Sequence, residues 1–206
     1  MTFFAKRMLV LLLGFLTCGF GIASMVKAHL GLGPWDIFHQ GMHIVFGISM
    51  GTATVLAGAA VLLAWIPFRQ KPGLGTILNM LLIGPSVDFA LYVLPDPSLM
   101  AVRISMLLIG LPLMALGTAM YLSTQLGAGP RDGLMLAISR KFNISIRLAR
   151  TMIECSAFFG GWLMGGTFGV GSVYFALLIG PLVQFIIESM QRFGLWHGNA
   201  VRQPAG

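Results

Sequence analysis

Gly31-Leu32-Gly33-Pro34-Trp35-Asp36 opens a short segment in the first half of the chain, and Gly127-Ala128-Gly129-Pro130-Arg131-Asp132 opens another 96 residues later. Each motif is written like a helix start: proline suits the first helical position, and an acid in the first turn opposes the positive end of the helix dipole. The same ungapped shift of 96 aligns Gly21 with Gly117 and Phe46, Ile48 and Ser49 with Phe142, Ile144 and Ser145. It also aligns Gly73 and Gly75 with Gly169 and Gly171, Leu81-Leu82-Ile83-Gly84-Pro85 with Leu177-Leu178-Ile179-Gly180-Pro181, and Val87 and Phe89 with Val183 and Phe185. Apolar composition alone makes Leu and Ile coincide often. It does not bring two Gly-x-Gly-Pro-x-Asp motifs and two Ile-Gly-Pro motifs into one register, so the chain is an internal repeat.

Each half reads as four pieces: apolar helices over about 7–28 and 103–124, short segments over 34–46 and 130–142, third pieces over 51–68 and 146–164, and fourth pieces over 74–94 and 171–190. The long blocks match a bilayer core of roughly 30 Å at about 1.5 Å per residue. A 13-residue segment rises only about 20 Å, too little to cross. The composition agrees with a membrane protein: 57% hydrophobic and 9% charged residues over 206, with a mean hydropathy of +0.88. A soluble domain carries about 25% charged residues. An ordinary globular enzyme, a disordered chain and a nucleic-acid-binding domain are thereby excluded. The expected fold is an all-α polytopic membrane protein. Its six transmembrane helices form two inverted three-span repeats, each with a short re-entrant or interfacial half-helix. One membrane domain covers 1–206, with repeats at 7–94 and 103–190, an inter-repeat loop at 95–102 and a cytoplasmic tail at 191–206.

The net charge of +7 reads as topology, because the basic residues lie between apolar blocks and form no base-reading pattern. With the N-terminus inside and six spans, Lys6, Arg7, Arg69, Lys71, Arg131, Arg140, Lys141, Arg147, Arg150, Arg192 and Arg202 fall on the cytoplasmic side, against Lys27 and Arg103 outside. Letting the short segments span changes that split from 11:2 to 9:4, which the positive-inside rule disfavours. The run from Met8 to Val26 exceeds the roughly 7–15 residues of a signal-peptide core, so it is expected to stay as the first span. Cys18 and Cys155 form no metal or redox spacing.

Gly-Leu-Gly-Pro-Trp-Asp at 31–36, Gly-Ile-Ser-Met-Gly-Thr at 47–52 and Gly-Leu-Gly-Thr-Ile-Leu-Asn at 73–79 with Leu-Ile-Gly-Pro at 82–85 resemble the bacterial YczE/YyaS/YitT membrane proteins. So do Gly-Ala-Gly-Pro-Arg-Asp-Gly-Leu-Met at 127–135 and Ser-Ile-Arg-Leu-Ala-Arg at 145–150. The resemblance runs over roughly 7–192. It implies a multi-pass protein of the bacterial cytoplasmic (inner) membrane, and it transfers no substrate and no catalytic residue.

Asp36 and Asp132 read either as charged helix starts or as paired binding carboxylates near the midplane, where inverted-repeat transporters put their broken helices. A charge there costs about 2.5–3.5 kcal/mol on insertion scales, so its presence in both halves needs an offset. Gly31, Gly33, Gly127 and Gly129 either make a tight turn or free amides that attract an anionic group. Gly84-Pro85 and Gly180-Pro181 lie mid-span, where proline removes a helix hydrogen bond and makes a candidate hinge. Asn79 precedes the first hinge, and the twins Asp88 and Gln184 follow each by a turn, which makes all three candidate substrate-binding residues. Glu154, four residues after Arg150 and seven after Arg147, forms with them either a local ion pair or a cytoplasmic gate. His39 and His43 stand at i, i+4, but the second half has Met135 and Ser139 there and no zincin glutamate follows, so no metal site is expected. The 14 methionines and pairs such as Gly160-Gly161 and Gly165-Gly166 suit lipid contact and close helix approach.

No cofactor is expected and the chain does not read as an enzyme: zincin, nucleophile-elbow and Walker motifs are absent. The function expected is a small secondary transporter or exporter of a small polar or charged solute by alternating access. The alternative is a non-transporting membrane factor that binds and stabilises a partner complex. Expected partners are the lipid bilayer, a small-molecule or ion substrate and a second copy in a homodimer, without nucleic acid.

Overall fold

The computed structural model describes residues 3–127 and 129–194, and Ala128, Arg202 and most of the expected cytoplasmic tail lie outside them. Among the described residues every regular element is helical: α1 (Phe3–Ala28), α2 (Pro34–Phe46), α3 (Met50–Leu63), α4 (Leu74–Val93), α5 (Met100–Ser123), α6 (Pro130–Phe142), α7 (Ile146–Leu163) and α8 (Val170–Arg192). A 3-10 turn, Ile66–Phe68, extends α3. The two short helices begin at the prolines of the twin motifs. They end where Gly47 (φ 65°) and Asn143 (φ 51°) take the left-handed conformation that closes a helix. Ser49 and Ser145 then cap α3 and α7 by accepting from the amides of Thr52 and Leu148.

Five stretches are long and apolar enough to cross a membrane: Phe4–Ala28, Met50–Phe68, Leu74–Val93, Met100–Ser123 and Val170–Arg192. The sixth expected span, α7, has the length but carries Arg147, Arg150 and Glu154 in its first nine residues. Outward-facing side chains along α1 and α8, such as Leu9, Leu12, Leu13, Leu177 and Phe185, are apolar and exposed. In water such faces would cost roughly 25 cal/mol per Å². In a bilayer they are the surface the lipid contacts.

Contacts recur between the halves with their partners exchanged. Arg7 donates from Nε to the Thr124 carbonyl at 2.7 Å, and its counterpart Arg103 donates to the Ala28 carbonyl at 2.7 Å. The Gly75 amide donates to Leu126 at 2.8 Å, and the Gly171 amide to Leu30 at 2.7 Å. Gly14 of α1 lies against Gly117 of α5, and Gly21 against Gly110, so the two helices run antiparallel with glycine in both contacts. The lateral packing repeats in the same way. Gly161 of α7 lies against Ile37 of α2, and Gly133 of α6 lies against the Trp65 ring.

A Cβ placed on Gly21 would sit 2.4 Å from the Met114 amide nitrogen and 2.7 Å from the Gly110 carbonyl oxygen, both backbone atoms. Gly21→Leu is therefore expected to force α1 and α5 apart, at a cost of about 1–3 kcal/mol or more. Thermal unfolding in detergent should show a clear drop in Tm; an unchanged Tm would mean the helices do not meet there.

Candidate functional site

The first turns of α2 and α6 converge. Trp35 and Arg131 occupy equivalent places in the twin motifs, and the Arg131 guanidinium lies over the Trp35 ring at 5.4 Å from its centroid. Pro34, Trp35 and Asp36 from α2 and Gly129, Arg131 and Asp132 from α6 line one cavity. Asn79 of α4, Thr118 and Tyr121 of α5, Arg150 and Glu154 of α7 and Phe175 of α8 complete its wall. The start of α2 has no side-chain cap, and at the start of α6 the Asp132 carboxylate accepts from the Gly129 amide, so first-turn amides of both helices lie near the same region.

Asp36 is only 2% exposed, and its Oδ1 has no hydrogen-bond partner. The nearest basic group is His39 Nδ1 at 3.8 Å, itself 3.3 Å from the Thr54 hydroxyl. Asp132 has no cation within ion-pair distance among the described residues, because Arg150 is held by Glu154 at 2.8 Å. Asp36, buried, and Asp132, half-buried and accepting from the Gly129 amide, thus face one cavity without a cation at ion-pair distance from Asp132.

The cavity continues into a vestibule lined by Thr118, Tyr121, Asp132, Arg147, Arg150, Gly180, Pro181, Gln184 and Glu188. It lies between α7 and α8, where a Cβ on Gly180 would meet nothing within 4 Å. The equivalent seam in the first half is shut. Gly51 of α3 and Gly84 of α4 stand back to back, with the place of either Cβ only 2.2–2.3 Å from the other's carbonyl oxygen. Asp88 latches it, accepting from the Ser49 hydroxyl at 2.5 Å and from the Gly51 amide at 2.7 Å.

Of the sequence candidates, Asp36, Asp132, Gly129, Asn79, Arg150 and Glu154 share the chamber, and Gln184, Gly180, Pro181 and Arg147 share its vestibule. Gly33 backs onto the Phe175 ring. Asp88 is in the shut seam, outside the chamber. Gly31 (φ 113°) packs on Gly169 and Ser172, and Gly127 (φ 143°) on Gly73 and Thr76, so both serve turns that seat α8 and α4. Gly84 packs on α3, and α4 and α8 continue as helices through Pro85 and Pro181. His43 points away, with Nδ1 2.5 Å from the Ile48 carbonyl, and no metal-holding cluster occurs among the described residues. Arg131 is in the chamber rather than among the loop cations. Sequence reading passed over Trp35, Thr118, Tyr121 and Phe175; the first was readable as the twin of Arg131.

This is an integral membrane protein whose described residues form helices around one internal chamber. The chain belongs to the DUF6198 family, described as a family of unknown function, whose model matches residues 5–188. It is 38% identical to an uncharacterized protein of Haemophilus influenzae over 91% of this chain and 86% of that one. It is 34% identical to the uncharacterized membrane protein YczE of Bacillus subtilis over 86% of this chain and 84% of that one. The Bacillus subtilis protein YyaS is 28% identical over 87% and 92% of the two chains. No solved structure matches the chain.

Proposed function

We propose that the protein is a secondary transporter of a small polar or charged solute in the bacterial inner membrane, working by alternating access. The observation that carries this reading is the unlike state of two equivalent seams around one chamber. The α3–α4 seam is shut by Gly51, Gly84 and Asp88, while the α7–α8 seam stands open at Gly180.

In this reading α7 is the sixth span and α2 and α6 are re-entrant half-helices. The antiparallel contact of α1 with α5 then relates the halves as inverted repeats, with both termini cytoplasmic. The open seam lies at the end of the protein that bears Arg7, Arg140, Lys141 and Arg147, the cytoplasmic end by the positive-inside rule. The shut seam lies toward Lys27 and Asp96. The described state is therefore inward-open. Closing α7 on α8 while α3 parts from α4 would present the same chamber to the outside, as inverted halves exchange conformations. Two such states need to lie within a few kcal/mol of each other.

Twin valines test this without knowledge of the solute. Val87 is buried in the shut half, and its counterpart Val183 lines the vestibule. In a Cys155→Ser background, which removes the exposed native thiol, Val183→Cys should react with a membrane-impermeant maleimide from the cytoplasmic side at once. Val87→Cys should react slowly and only from the outside, as the protein visits its outward-open state. Permanent silence of Val87→Cys would favour the reading as a non-transporting factor for a partner complex.

A further inference from the structure

We infer that the chamber takes a zwitterion of amino-acid type: one ammonium, one carboxylate and a small apolar body. This rests on the chamber being the transport site and names its ligand. The Asp36 Oδ1 is a buried acceptor without a donor, on a residue that lines the cavity. Such an atom calls for a donor, and in a chamber of this kind a ligand is one group that supplies it. Asp132, on the equivalent turn of α6, adds a second acceptor without a cation. An ammonium group, with three donors, answers both.

The opposite charge is provided for as well. Arg131 has no carboxylate within ion-pair distance among the described residues and is parked on the Trp35 ring. The starts of α2 and α6, the second with its Gly129 amide already donating to Asp132, bring about half a positive charge each to the same region. Arg150 and Glu154 neutralise one another at the mouth. Two carboxyls set against one guanidinium and two half-charges leave the chamber close to neutral, so a simple cation or anion would bring an unmatched charge to this depth. A net-neutral ligand with separated charges would not. Met114, Met135, Phe175 and Ile179 give its apolar body a wall.

The full-length protein in detergent is screened by thermal shift against each proteinogenic amino acid at millimolar concentration. For every hit, the decarboxylated amine and the deaminated acid of the same side chain are run beside it. At least one amino acid should stabilise the protein saturably, and each half-ligand should bind at least about tenfold more weakly. Asp36→Asn should weaken the amino acid and the amine but spare the acid. Arg131→Gln should weaken the amino acid and the acid but spare the amine, a split that general damage to the fold would not produce. An amine or an acid that binds as well as its amino acid overturns the assignment, and so does the absence of any hit. Val87→Cys labelling reports separately: a ligand that fits the pattern with permanently silent Val87→Cys keeps the ligand class and discards transport.

Discussion

Asp36→Asn is expected to slow solute exchange in reconstituted vesicles at least about a hundredfold while leaving the protein folded and more heat-stable than wild type. A hundredfold corresponds to about 2.7 kcal/mol of lost interaction, within the range for a charge-assisted hydrogen bond made in a dry site. The gain in stability follows from the same atom. The Asp36 Oδ1 is buried without a hydrogen-bond partner, and a carboxylate at membrane depth costs about 2.5–3.5 kcal/mol on insertion scales. Asparagine keeps the shape and sheds that burden. For a chain of this size each kcal/mol moves Tm by about 2–4 °C, so a rise of several degrees is the expected signature. Opposite signs in activity and stability mark a residue kept for binding. A variant that loses both would make Asp36 a structural residue of the α2 turn, and one that exchanges solute at the wild-type rate would remove it from the site.

The same substitution at twin positions should give opposite results. Gly84→Ala puts a Cβ 2.3 Å from the Gly51 carbonyl oxygen and 2.8 Å from Val55, so α3 and α4 must part, at a cost of about 1–3 kcal/mol. Gly180→Ala puts its Cβ in open space and gains the helix preference of alanine over glycine, about 0.5–1 kcal/mol. Thermal unfolding of both in detergent should therefore show Tm falling for the first and rising slightly for the second. Gly180→Ala should nevertheless exchange solute more slowly, because closure of α7 on α8 brings Arg147, which stands where α3 has Gly51, toward the bare backbone at Gly180. Wild-type exchange by Gly180→Ala would mean that this seam does not close.

The local punctuation was readable in advance. Residues 34–46 and 130–142 form helices with the expected ends, because proline starts them and a left-handed Gly47 or Asn143 stops them. Those are properties of the residues themselves. The convergence of Asp36 and Asp132 was foreshadowed by their equivalent places in the repeat. What the sequence left hidden depends on which helices become neighbours. Asp88 reads as an intramembrane carboxyl like the others, yet its partners are a hydroxyl and an amide 37–39 residues away on α3. The Trp65 indole, which donates to the Pro130 carbonyl at 3.0 Å, joins the end of α3 to the start of α6 by a contact no local pattern announces. Part of the difference between the seams was legible: the shift of 96 puts Arg147 where α3 has Gly51 and Gln184 where α4 has Asp88, although Gly84 and Gly180 are the same residue in the same motif.

Ile37 meets Gly161, and Gly133 meets Trp65, although Ile37 matches Gly133 and Trp65 matches Gly161 along the repeat. Gly161 lies against the Ile37–Phe38 backbone, whereas Gly133 lies against the Trp65 ring. Two separate first halves assembling as a pair would set isoleucine against tryptophan, and two second halves would set glycine against glycine and leave a hole. The two halves therefore fit each other through unlike residues at matching places, and a pair of identical halves would lose that fit.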